Sequence, residues 1–134
     1  MARIGPDQPV SAGTVVAIQL KELRQRRGYT AKQFADRCAE LGAPAITVHV
    51  VANIETGRRE ASVNELLVFA LVLDVAPIHL LTPSERRPLT VAVTGTVAVR
   101  GELIPRWLRG EQALPESNGR QFYGFAVEQD GAPD

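Results

Sequence analysis

The sequence predicts a mainly α fold, with five helices over residues 14–82 followed by a small α+β module, a hairpin plus a helix, over residues 84–127. Three observations predict it. Apolar residues recur at helical spacing through residues 14–82, and two capping boxes, Thr30 with Gln33 and Ser62 with Glu65, mark helix starts inside that stretch. Beyond Pro83 the apolar period switches to strict alternation through Leu89, Val91, Val93, Val97 and Val99.

Residues 1–13 hold Gly5, Pro6, Pro9 and Gly13 with little apolar content, so a flexible N-terminal arm is expected there. The first helix is expected from Thr14, where Val16, Leu20 and Leu23 share a face, and Gly28 ends it after a basic last turn. In the Thr30 capping box the hydroxyl takes the Gln33 amide and the Gln33 side chain reaches back, so a second helix opens there and runs to about Leu41. Gly42, Ala43 and Pro44 break it, because Pro44 drives Ala43 out of helical dihedrals and Gly42 tolerates a left-handed corner.

Thr47 is placed to cap a third helix, which carries Val51 and Ile54 inward and is closed by Gly57. Ser62 caps a fourth, whose Leu66, Leu67, Phe69, Ala70 and Leu73 form a broad apolar stripe. Pro77 suits the opening turn of a short fifth helix with Ile78, Leu80 and Leu81. Thr94, Gly95 and Thr96 then read as the turn of a valine hairpin, and Leu103, Ile104, Trp107 and Leu108 as one face of a short helix. The run from Phe122 to Val127 reads as an edge strand, and residues 128–134 as a disordered tail.

Composition narrows the function. The 134 residues balance 15 basic against 15 acidic side chains, so any affinity for a polyanion must come from clustering on one face. Arg26 with Arg27 and Arg58 with Arg59 are such clusters. One cysteine, Cys38 in an apolar helical slot, rules out an intrachain disulfide and a cysteine-based metal centre, and fits a reducing cytoplasm. The longest apolar run, residues 66–73, is far short of the ~20 needed to span a bilayer, and no basic stretch leads into an apolar core at the start. A cytoplasmic chain away from the membrane is expected. Two histidines, one cysteine and scattered carboxylates make no nucleophile–base pair, metal cluster or glycine-rich phosphate loop, so neither catalysis nor a cofactor is expected.

The third helix carries the chemistry. Opposite Val51 and Ile54, the 3.6-residue period groups Val48, His49, Ala52 and Asn53 on a free face. In a DNA major groove Asn53 can bond an adenine edge bidentately, Val48 and Ala52 can meet thymine methyls, and His49 can donate or accept, while Thr47 at the helix start suits a phosphate. Taken singly, His49 and His79 are ordinary solvated histidines and Cys38 an ordinary core hydrophobe. Arg100, Arg106 and Arg109 around Trp107 read as a phosphate patch or as the wet side of a packed helix.

With these helices, the long turn and the Gly57-Arg58-Arg59 exit in place, residues 20–83, about half the chain, resemble the XRE family of helix-turn-helix DNA-binding domains. The likeness is to the longer-turn form common among actinobacterial and actinophage regulators, a family typified by phage repressors and Cro. The resemblance implies base reading by residues 47–53, backbone contacts from Lys32 and Gln33 and from Arg58 and Arg59, and an internal ion pair between Arg24 and Glu55. Val48 departs from the phage-repressor pattern where a polar reader is often found, and Ala31 where a glutamine often supports it, so direct readout is expected to be sparse.

The expected function is a sequence-specific repressor on a double-stranded operator, a temperate-phage immunity repressor or a host regulator. The alternative is an antitoxin-like adaptor whose module at residues 84–127 holds a protein partner. One amide reader and two methyl contacts specify few base pairs, so a homodimer or cooperative loading is expected, with Val91, Val93, Val97, Val99 and Trp107 as assembly residues.

Overall fold

Side-chain caps set where the helices begin. In the computed structural model of the chain, which describes residues 8–131, α1 (Ala12–Arg26) opens on Ser11, whose hydroxyl accepts from the Thr14 amide at 3.1 Å. α2 (Ala31–Glu40) carries the full capping box, with the Gln33 amide donating to the Thr30 hydroxyl and the Thr30 amide donating to Gln33 Oε1. Thr47 caps α3 (Val48–Glu55) through the Val50 amide at 3.3 Å, and Ser62 with Glu65 repeats the capping box on α4 (Val63–Leu73). α5 (Pro77–Leu81) begins on its proline. Between α2 and α3 the corner turns on Gly42, whose φ of +98° would strain a residue with a Cβ.

These five helices enclose one core. Leu20, Phe34, Cys38, Val51, Ile54, Phe69, Leu73 and Leu80 are enclosed almost completely, and the rings of Phe34 and Phe69 meet at 5.7 Å between centroids. Burial pushes the Cys38 thiol up to about 11, so it stays neutral and packs as a hydrophobe. The stripe expected on α4 is narrower than its sequence reads: Leu66 packs inward, whereas Leu67 is exposed together with Val63 and Leu71 one turn to either side. Phe69, Ala70, Val72 and Leu73 already fill the side of α4 that faces the bundle.

A second, smaller core is built on a three-stranded sheet of order β1-β2-β3. β2 (Val91–Ala92) and β3 (Ala98–Val99) form the valine hairpin, antiparallel with Val91 opposite Val99, and its turn is held by the Thr94 hydroxyl accepting from the amides of Thr96 and Val97. β1 (Val10–Ser11) pairs with β2 in parallel, Val10 opposite Val91. Val10, Val15, Val91, Val99, Ile104 and Leu114 close this core, with Leu89, Leu103 and Trp107 packed on it. A 3-10 turn (Gly101–Leu103) leads into α6 (Ile104–Leu108). Gly101 is required there, since a Cβ would lie 2.5 Å from the Leu89 carbonyl oxygen.

Three expectations change. Residues 10–13 are not part of a loose arm: the Val10 amide donates to Thr90 O at 2.9 Å, Val10 is buried, and α1 starts at Ala12. A two-stranded hairpin of this length is marginal by itself, and the third strand supplies the missing face. Residues 1–7 of the expected arm and 132–134 of the expected tail lie outside the described residues. Residues 122–127 are not an edge strand, and 128–131 are not tail, because both belong to α7 (Gly119–Gly131). Asn118 starts that helix, its side-chain oxygen accepting from the Gln121 amide at 3.1 Å and its carbonyl from the Phe122 amide. Finally, the module at residues 84–127 does not stand apart from the helices, because Val15 of α1 and Val10 of β1 complete its core.

Among the described residues no helix is long and apolar enough to cross a membrane.

Candidate nucleic-acid interface

α3 divides its residues sharply between two faces. Val51 and Ile54 are sealed in the core, while Val48, His49 and Ala52 are exposed and Asn53 is half-buried beside them. The four predicted readers therefore share one outward surface. Asn53 also anchors the helix exit: its carbonyl accepts the amides of Arg58 at 2.9 Å and Arg59 at 3.2 Å, across the left-handed Gly57 with φ of +77°. Thr56 completes the end of the helix by donating its hydroxyl to Ala52 O at 2.8 Å. The cationic exit is thus fixed to the last turn of α3.

Behind that face lies a buried ion pair. Arg24 donates Nε and one terminal nitrogen to the two Glu55 oxygens at 2.7 and 2.8 Å, and its other terminal nitrogen to Tyr29 O at 2.7 Å. The pair is about nine-tenths enclosed on both sides, and the Glu55 hydrogen bond raises the Arg24 pKa above its ordinary value. It ties α1, the α1–α2 corner and the end of α3 into one rigid unit.

Cations on the surface divide by what they already hold. Lys32 pairs with Asp36 at 2.8 Å, Arg26 with Glu22 at 2.9 Å, and Arg59 bidentately with Glu65 at 2.6 and 2.8 Å. Arg27 donates to the carbonyls of Leu73 and Asp74, closing the C-terminus of α4, a structural role its sequence context does not show. The Arg26–Arg27 pair is therefore engaged within the protein. Exposed pairs such as Lys32 with Asp36 are worth less than about 1 kcal/mol. Gln33 spends its side-chain oxygen on the Thr30 cap, which leaves its Nε2 to donate elsewhere, and Thr47 is exposed with its hydroxyl on the Val50 amide. Arg58 has no carboxylate within 4 Å among the described residues, and it lines a cleft with Lys21 and Arg87. Those two carry no signal in the linear sequence, because the cleft gathers them from separate segments.

The Arg59 guanidinium, assisted by the Ser62 cap, lowers the Glu65 carboxyl from its ordinary value to about 2. A depressed carboxyl contributes stability above its unfolded value, near 4.5, and loses it as pH falls toward 2. Glu65→Gln should therefore melt lower than the parent at pH 7 and show a shallower loss of melting temperature between pH 5 and pH 3, measured by circular dichroism. An equal acid slope in both proteins would contradict this.

The proposed assembly residues separate into two groups. Val91 and Val99 are enclosed in the chain's own second core, which removes them from any contact with another molecule. Val93 is exposed, and Val97 and Trp107 are half-buried.

No family model, curated protein or solved structure matches the chain.

Proposed function

We propose that α2, the long turn and α3 act as a helix-turn-helix, with α3 in the major groove of double-stranded DNA, and that the chain is a sequence-specific transcriptional repressor of a phage or its host. The observation that carries this reading is the two-faced α3. A helix that seals the core with Val51 and Ile54 presents two small apolar side chains, an imidazole and an amide together, next to an exit loop whose Arg58 has no carboxylate within 4 Å among the described residues. Small apolar groups let the helix approach base edges closely and meet thymine methyls, and an asparagine amide matches the N6 and N7 pattern of adenine. Arg58, and Arg59 once exchanged from Glu65, supply backbone positioning without sequence information.

So few readers discriminate only a few base pairs, at about 1–3 kcal/mol each, and useful selectivity requires two heads on two half-sites. The repressor is proposed to act as a homodimer or by cooperative loading, with Val93 and Val97 of the hairpin and Trp107 of α6 still accessible for it. Selection of duplexes from a random pool tests the reading: two half-sites about one helical turn apart are expected. On the selected site Asn53→Ala should relax choice at one base pair by about 1–3 kcal/mol, whereas Arg58→Ala should weaken all sequences alike and flatten the salt slope by about one unit. Identical behaviour of the two variants would defeat the groove assignment.

A second reading, an adaptor that holds a protein partner, draws on Tyr123 and Phe125, which stand exposed on α7. A salt titration separates the two: a duplex binder loses affinity steeply as salt rises, and an adaptor binds no duplex at any salt.

A further inference from the structure

Among the described residues, six cations have neither a carboxylate within 4 Å nor a hydrogen-bonded carbonyl: Lys21, Arg58, Arg86, Arg87, Arg106 and Arg120. Three of these, Lys21 on α1, Arg58 past the end of α3 and Arg87 on the segment leaving α5, line one cleft of about 580 Å3. Two carboxylates reach the same cleft, and each is already neutralised, Glu22 by Arg26 and Glu55 by Arg24. The cleft therefore keeps a local cationic excess in a protein whose net charge is zero. Three like charges gathered from three separate segments repel one another, and an anion seated between them relieves that repulsion.

We infer that Lys21, Arg58 and Arg87 form a seat for one backbone phosphate diester of duplex DNA, at the C-terminal end of α3; this rests on the reading of α3 as the recognition helix. Thr56, the residue that caps α3, lines the cleft as well. The seat lies at the exit of the reading helix, where a strand bordering an occupied groove runs past. It also gives the segment between α5 and the hairpin a direct part in binding, because Arg87 lies on that segment. A free phosphate monoester shares the chemistry of the diester and is distinguished by experiment.

Equilibrium binding to the selected duplex and to a scrambled duplex is measured across a salt series for the full chain and for Arg87→Ala, Arg58→Ala, the double variant and Arg120→Ala. Arg87→Ala should weaken both duplexes by the same factor and flatten the slope of log K against log salt by about 0.9, the value for one phosphate. The double variant should flatten it no further than either single change, since one phosphate is shared, and Arg120→Ala should leave it unchanged. An unaltered slope in Arg87→Ala, or equal flattening by Arg120→Ala, overturns the seat while leaving the recognition helix intact. If the unmodified chain binds no duplex, the recognition reading fails. Titration with inorganic phosphate, followed by NMR, then decides the seat: shifts confined to Lys21, Arg58 and Arg87 make it a site for a free anion in place of DNA, and their absence removes it altogether.

Discussion

Arg24→Ala should lower stability by about 3–5 kcal/mol, measured by urea denaturation, the largest loss expected from any single polar change in the chain. The size follows from what remains behind. Glu55 is enclosed, accepts two of its hydrogen bonds from the Arg24 guanidinium and would be left as a buried charge without its counter-ion. The Tyr29 carbonyl would lose its donor at the same time, loosening the corner that sets α2 against α1. A double replacement, Arg24→Met with Glu55→Leu, removes both charges and should recover most of the loss, because burying an ion pair gains little over packing apolar side chains. A cost below about 1 kcal/mol for Arg24→Ala would mean that water screens the pair as at an exposed site.

Ile104→Ala should cost about 2–5 kcal/mol by leaving a void in the second core. Its more telling result is the shape of the unfolding curve. Val15 belongs to the same helix as Leu20, so the second core and the helical core share α1 as a wall. Denaturation followed by far-ultraviolet circular dichroism and by Trp107 fluorescence should give coincident single transitions in the parent, and in Ile104→Ala both should shift together. Separate transitions would mean that residues 84–127 melt as a unit of their own.

Local chemistry was legible in the sequence, and pairing at a distance was not. Thr30 with Gln33 and Ser62 with Glu65 fix two helix starts through groups three residues apart, and Gly42 and Gly57 fix their corners through a conformation only glycine adopts cheaply. The outward grouping of Val48, His49, Ala52 and Asn53 follows in the same way from the helical period and two apolar anchors. By contrast, Val10 and Ser11 are a strand only because Val91 and Ala92 lie alongside, and a two-residue strand has no periodicity to read. At Phe122 to Val127 the apolar run is too short for its period to separate strand from helix, and the cap on Asn118 was the available signal. Arg27, Lys21 and Arg87 take their roles from partners far along the chain, so nothing beside them in sequence announces those roles.

The parallel pairing of β1 with β2 has a consequence for how the protein is made. During synthesis the helical core can close once α5 has emerged, because all its contributors lie before that point. Val10 and Ser11, although translated before every helix of that core, must wait unpaired until Val91 and Ala92 have left the ribosome. The pairing of Val10 with Val91 thus forms after the helical core, and a slow closing step of high contact order should follow a fast helical one.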